Sequence, residues 1–401
     1  MARGHARHRG GNKWQLEVDV GKKVFGQKRN KRYKTVTARN EDEAKAKLAV
    51  FVNELKKEGH FEITDIGFVD FVNDRWVKHA KKELADTTFQ GYVDCLENRI
   101  LPAFQHFKLH EIKQKHILDF IENISEDGMR LDGKKGKLSS SQIVYHYRAL
   151  KHVINYALTI KFIRHDPFEG VKKPREDHEE VEPYTVDETI ELFNALEKEK
   201  EENLHWYIAV KLAVFAGLRR SEIYGMDLLK HVRFHDNVLL VRQALTHTTR
   251  NGYSITQIKK GSRRAKKRDI ALPESLIEPL HKIIVMKKEQ RLAFKKEELW
   301  REGEHLLLLS HPNGKPFFPD SMRNWWKRFL KRHKLRYVRI HGLRHTMVNL
   351  LIELDTPLPA ISKRAGHSSV MVTSDIYGHR IKSVDEMATK KLEETIYKKS
   401  L

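Results

Sequence analysis

The run KKPREDHEEVEP, residues 172–183, constrains the fold of this chain more than any other stretch. It is charged and carries Pro174 near its start and Pro183 at its end, so a regular helix cannot run through it. The apolar pattern also changes across it. Upstream, from 63 to 175, apolar residues recur only at helical spacing; downstream, helical stretches mix with short strand-like runs. Separate folding units are therefore expected on its two sides, and 401 residues leave room for two or three.

Before the helical stretch, KWQLEVDV alternates apolar and polar side chains, as a half-buried strand does. GKKVFGQKRNKRYKTV supplies a basic turn and two further short strand candidates. Asn40 can cap EDEAKAKLAVFVNELKKEG, a helix with acids in its first turn and lysines in its last. Residues 1–62 are thus expected to form a three-stranded sheet plus one helix. In 63–175, FVDFVNDRWVKHAKK puts Phe68, Phe71, Val72 and Trp76 near one face. Thr87 and Thr88 can open the next helix, expected to end before Pro102. HEIKQKHILDFIENI and SQIVYHYRALKHVINYALTI follow, separated by the basic loop MRLDGKKGKLSSS. In 176–401, Thr185 and Glu188 make a capping box. WYIAVKLAVFAG reads as a helix and VRFHDNVLLVRQ as a hairpin. Strands are expected around SITQI and RDIAL, with the remainder helical apart from HLLLLS. The fold class is multidomain: a small sheet plus helix, an all-helical domain, and a mainly helical α+β domain with a small antiparallel sheet.

Charge narrows the function. Lys plus Arg number 76 against 54 Asp plus Glu, a formal net charge of +22. Residues 1–40 alone hold 12 Lys/Arg and 2 acids. Such an excess points to a polyanion, with nucleic acid ahead of an anionic membrane surface. No run of about 18 apolar residues is present to span a bilayer. The first residues lack the apolar stretch of a secretory signal. Cys95 is the single cysteine, which excludes internal disulfides and a cysteine-based metal cluster. A cytoplasmic protein is expected.

Four segments can carry chemistry. AVFAGLRRSEIYGMD holds Arg219, Arg220 and Glu222 after a tight turn at Gly217. In QIKKGSRRAKKRDIAL, seven of the ten residues from Lys259 to Arg268 are basic. VRIHGLRHTMVNLL places His341, Arg344 and His345 on one helical face, at i, i+3 and i+4. GHSSVMVTSDIYGH carries His367 and, ten residues on, the lone tyrosine Tyr377. A permanent cation on a largely buried helix requires an anion. The two histidines of HGLRH have the spacing of a zinc helix, but Gly342 stands where such a helix carries its glutamate, and no metal is expected. A structural Arg–carboxylate pair is the other reading of that helix.

Taken together, GLRxSE, a lysine-rich hairpin, HxxR, GH and a tyrosine ten residues on resemble the motif set of the tyrosine recombinases, of the phage or mobile-element integrase type. The motifs span about 160 residues, and the resemblance covers nearly the whole chain. It implies that Arg219, His341, Arg344 and His367 bind and activate a DNA phosphate, that Glu222 supports Arg219 or a histidine, and that Tyr377 attacks. It also implies a catalytic lysine. Lys259, Lys260, Lys266 and Lys267 are available, and Lys260 is favoured because its Lys-Gly setting resembles common family versions. Ala365 stands before GH where leucine is common.

The same resemblance implies an arm-type DNA-binding domain at 1–62, a core-site DNA-binding domain at 63–175 and a catalytic domain at 176–401. Lys28, Arg29, Lys31, Arg32, Lys34, Lys259, Arg263 and Arg264 are the DNA-contact candidates. The implied activity is site-specific cutting and rejoining of double-stranded DNA through a 3′-phosphotyrosine, without cofactor or metal. It would be carried out by a homotetramer on core-type and arm-type sites, with possible excision or host DNA-bending factors. The tail IKSVDEMATKKLEETIYKK would be a helix that docks on a neighbouring subunit or on its own domain. Two further readings are a type IB topoisomerase and a DNA-binding regulator with a decayed site. The strand unit and helical unit favour the recombinase over the first, and the complete motif set argues against the second.

Overall fold

The computed structural model describes residues 4–19, 31–57, 66–177, 182–258, 267–296, 300, 303–367, 389, 392, 393 and 396. The chain divides into two compact units, Met1–His178 and Glu179–Leu401.

The first unit opens with an antiparallel sheet of β1 (Gly4–His8), β2 (Lys13–Asp19) and β3 (Lys31–Thr37), with β2 central. The alternation in KWQLEVDV is realised: Leu16 and Val18 point to one face and bury against Phe51 and Leu55 of the helix Glu41–Lys57. Asn40 caps that helix, its side-chain oxygen accepting from Glu43 N at 2.9 Å. The first strand comes from GHARH rather than from the basic turn, where two strands were expected. GHARH has no apolar pattern to announce it; backbone pairing with β2, Ala6 opposite Leu16, defines it instead. The second strand candidate in the turn falls in 20–30, outside the described residues.

The rest of this unit is helical and has its own core. Phe68, Phe71, Val72 and Trp76 are all buried, and Trp76 Nε1 donates to His152 Nδ1 at 3.0 Å. Ser139 caps Ser140–Thr159, accepting from Gln142 N at 3.3 Å. One expectation fails here. The helical run that opens at Asp86 continues through Pro102 to Phe104. A π-helical turn, Leu96–Ile100, precedes Leu101–Phe104, so the proline sits in the first turn of a new segment, where its missing N–H is tolerated.

In the second unit, the Thr185–Glu188 capping box forms as expected. It opens Val186–Lys198, which packs on Leu204–Phe215, a helix buried on every side. Five short strands follow: β4 (Val232–Arg233), β5 (Val238–Val241), β6 (Gln243–Thr248), β7 (Gly252–Gln257) and β8 (Arg268–Ala271). They form two small antiparallel sheets, β4-β5-β8 and β6-β7, rather than one. The apolar run Leu306–Leu309 is fully buried, forms an isolated antiparallel bridge between Leu307 and Asp227, and bonds to the backbone at Met226 and Leu228. Helix Ile277–Lys296 precedes that run and helices Pro319–Arg332, Ile340–Glu353 and Leu358–Ala365 follow it, with Trp206, Trp325 and Phe329 stacked against one another. No helix among the described residues is long and apolar enough to cross a membrane.

Candidate active site

The site is built on two left-handed glycines. Gly217 (φ 58°) ends the buried helix Leu204–Phe215 and reverses the chain, so Arg219 emerges at the start of Arg220–Tyr224. A Cβ on Gly217 would meet Met347 at 2.7 Å, and the bare turn lets the helix Ile340–Glu353 press against it. Arg344 of that helix is 2 % exposed, and its Nη1 donates to Gly217 O at 2.6 Å. Gly342 lies where a Cβ would strike Val338 at 2.5 Å, so the glutamate of a zinc helix would not fit there without a shift. Gly366 (φ 67°) caps Leu358–Ala365 in the left-handed region and delivers His367.

Glu222 joins these segments. The residue is 3 % exposed, and its carboxylate accepts from four N–H donors among the described residues. Arg219 N reaches Oε2 at 2.9 Å and Arg219 Nη1 reaches Oε1 at 3.1 Å. The Arg268 guanidinium grips both oxygens, at 3.0 and 2.8 Å. Burial raises this carboxyl, but the Arg268 and Arg219 contacts outweigh it and hold it below the ordinary carboxylate range. Arg219 Nη2 also donates to Gly366 O at 3.1 Å, so the arginine of GLRRSE and the glycine of GH are in direct contact.

The histidines stand beside these cations. Burial, then the charges of Arg344 and Arg219, push the His367 imidazole down to about 4. His341 lies on the open side of its helix. Desolvation, His345, Arg344 and Arg219 together push it to about 4 as well. His345 packs edge-on against His341 at 5.3 Å between ring centres and is depressed by burial and by Arg344. At neutral pH these rings are therefore neutral, each with a nitrogen lone pair to accept a proton or hydrogen bond.

The fold thus brings together Arg219, Glu222, His341, Arg344 and His367. Lys259, Lys260, Arg263, Arg264, Lys266 and Tyr377 lie outside the described residues, as do Lys28 and Arg29. Lys267 is described and exposed. Among the N-terminal candidates, Arg32 is exposed and Lys31 bonds Glu17 across β2 and β3. Lys34 shares the parity of buried Leu16, faces the helix, pairs with Glu54 at 2.7 Å and lies over the Phe51 ring. It is committed to that packing, whereas His5, Arg7, Gln15, Tyr33 and Thr35 share the uncovered face.

Sequence reasoning passed over Arg268 and Arg364. Arg364 donates twice to Phe215 O, at 3.0 and 2.8 Å, and once to Ala271 O, tying the GH helix to the GLRR turn and to β8. The available signal for Arg268 was parity: in RDIA it falls on the same face as Ile270, so a permanent cation occupies a buried strand position.

The comparisons agree with this geometry. A model of the phage integrase family matches residues 184–383, and one of the phage integrase N-terminal SAM-like domain matches 68–125. A XerC-like tyrosine recombinase of Caldanaerobacter subterraneus subsp. tengcongensis is 24% identical over 382 residues, covering 92% of both chains. The prophage integrase IntR of Escherichia coli is 26% identical over 332 residues, covering 78% of this chain and 76% of that one. Among solved structures, the Tn1549 transposon integrase in complex with a circular intermediate DNA is similar in fold. Its TM-score is 0.64 at 19% identity, over 82% of this chain and 99% of that one. A lambda integrase tetramer bound to a Holliday junction gives a TM-score of 0.52 at 16% identity, over 86% and 89%. The chain belongs to the phage integrase family and is a tyrosine recombinase of the phage and mobile-element type.

Proposed function

We propose that this recombinase exchanges DNA strands through Tyr377, with Arg219 and Arg344 clamping the scissile phosphate. The reading rests on one observation: two guanidiniums and two neutral imidazoles gather around Gly366 and His367, ten residues before the tyrosine. A phosphodiester repels nucleophiles, and attack places more negative charge on its non-bridging oxygens. Guanidiniums hold those oxygens with paired donors and stay charged throughout. The Tyr377 oxygen forms a bond to phosphorus as the bond to the 5′-oxygen breaks. A tyrosine hydroxyl titrates near a pKa of roughly 10, so it needs this cationic setting and a base. Its proton passes to His341 or His367. The leaving 5′-oxygen takes a proton from a lysine of 259–267, with Lys260 favoured. The covalent 3′-phosphotyrosine keeps the energy of the broken bond, and a second DNA end displaces the tyrosine without ATP or metal.

The wider assembly is part of the same proposal. Residues 1–62 bind arm-type sites, 63–175 bind core-type sites, and 176–401 carry the chemistry. Cutting two duplexes on both strands requires four tyrosines, hence a homotetramer on DNA. Leu392 and Ile396 are helical, one turn apart and 64% and 57% exposed, an apolar pair suited to docking on a neighbouring subunit.

A suicide duplex nicked beside the core site tests the chemistry. The wild type should accumulate a covalent protein–DNA adduct that maps to Tyr377 by peptide sequencing, and Tyr377→Phe should give none. An undiminished adduct from Tyr377→Phe, or no adduct from wild type on its own site, would sink the assignment.

A further inference from the structure

Glu222 poses an electrostatic problem. It orients Arg219 through two hydrogen bonds, yet a carboxylate beside a catalytic guanidinium cancels its charge. A neutral Arg219–Glu222 pair would be a poor phosphate clamp. Arg268 meets the same carboxylate from the other side, with its side chain 2% exposed and both Nη atoms on the carboxylate oxygens. Two cations then share one anion, and the cluster carries a net charge of +1. Among the described residues the carboxylate accepts four N–H bonds, two on each oxygen, all from Arg219 and Arg268. A buried excess cation is unfavourable until an anion arrives, and a DNA phosphate is that anion.

The same guanidinium fixes geometry. Arg268 Nε donates to Arg364 O at 2.8 Å, in the last turn before His367. Its Nη1 lies 2.9 Å from where a Cβ on Gly366 would sit, which explains why that position is glycine. Gly366 O is in turn the acceptor for Arg219. Arg268 also opens β8, directly after the lysine-rich segment 259–267. One side chain therefore touches the segments that carry Arg219, His367 and the exit of the lysine run.

We infer that Arg268 is a positioning residue for strand cleavage: it holds Glu222 and the Arg364–Gly366 turn so that Arg219 is oriented without losing its charge to Glu222. This rests on the phosphotyrosine reading above. Packing alone would make Arg268 and Glu222 independent supports. A shared charge makes them compensating, and that difference can be measured.

The experiment is single-turnover cleavage of the nicked core-site duplex by the full-length protein, compared among wild type, R268M, R268K, E222Q and E222Q/R268M. R268M should cleave about 100-fold more slowly, the scale of losing one preorganised transition-state donor, while its DNA Kd changes by less than about threefold. Its rate should gain a falling dependence on rising pH, because Glu222 loses the partner that keeps it ionised in the wild type and cancels Arg219 only once it has deprotonated. Among the described residues, the other charged or titratable groups facing that carboxylate are Arg219 and, at longer range, His341. The double variant removes one cation and one anion and so restores the net +1. It should recover at least about tenfold over R268M, a non-additivity expected only of groups acting as one unit. R268K, which keeps the charge but not the fork, should fall between wild type and R268M. A wild-type rate for R268M, or a double variant slower than R268M, overturns the inference. If R268M does not fold, R268K decides: slower cleavage at an unchanged melting temperature supports the role, and an equal rate overturns it. Absence of an adduct from wild type would instead condemn the phosphotyrosine reading itself.

Discussion

Histidines 341 and 367 carry no charge at neutral pH in the DNA-free protein, and this sets a direction for pH effects. Both are pushed to about 4, below the ordinary imidazole value of about 6.5. Between those values the unfolded chain binds more protons than the folded one, so these two sites lower stability as pH falls through that window. A phosphate placed between Arg219 and Arg344 reverses the balance, since an adjacent anion favours the imidazolium. Binding of the core-site duplex should therefore take up protons near pH 6, up to about one per histidine, and affinity should strengthen from pH 7.5 to 6. Calorimetry in two buffers of different ionisation enthalpy measures the uptake. His367→Gln should lower it, and unchanged uptake would place the titrating groups elsewhere. Arg219, Arg344, His341 and His367 were legible as residues because their motifs are local. Arg268 was not, because its partner Glu222 lies 46 residues away on a separate helix and only the tertiary fold brings them together.

Elements position these residues through turns more than through helix length. Three features near the site were readable in advance: the tight Gly217 turn, the capping box at Thr185 and the helix that carries HGLRH. Each is specified by a few consecutive residues, whereas β1 and the Pro102 crossing depend on backbone partners that sequence pattern does not display. Gly217 shows what a turn contributes. Alanine there must adopt a left-handed backbone, costing about 1–2 kcal/mol, and must also displace Met347 from the face of the HGLRH helix. Gly252, in the β6–β7 hairpin, has φ 67° but open space where a Cβ would stand, so alanine there meets the backbone cost alone. Gly217→Ala should thus lower the melting temperature more than Gly252→Ala. It should also slow adduct formation at least about tenfold, because Arg344 bonds to Gly217 O. Equal losses of stability and equal cleavage rates in the two variants would show that the Gly217 turn does not hold Arg344.

At the scale of the whole molecule, charge and partition decide how DNA is held. Residues 1–40 carry +10 of the +22 excess, and the N-terminal sheet leaves one face uncovered, with His5, Arg7, Gln15, Tyr33 and Thr35 on it. That face has polar donors and acceptors at alternate positions of paired strands, the geometry of a ribbon that enters a major groove. Its core of Leu16, Val18, Phe51 and Leu55 is separate from the helical core around Trp76. Removing residues 1–62 should therefore leave the helical and catalytic cores intact. The truncated protein is expected to form the covalent adduct on a core-site duplex at a rate within about threefold of the full chain, while losing binding to arm-type DNA and most integration. Salt titration gives the second readout. For a duplex carrying both site types, log K should fall linearly with log salt, at about 0.9 per phosphate neutralised, and the slope should flatten on truncation in proportion to the phosphates that the sheet neutralises in the full chain. A truncated protein that integrates as well as the full chain, with an unchanged slope, would remove the sheet from DNA recognition. DNA would then be held by the helical and catalytic units alone, which carry +14 of the +22.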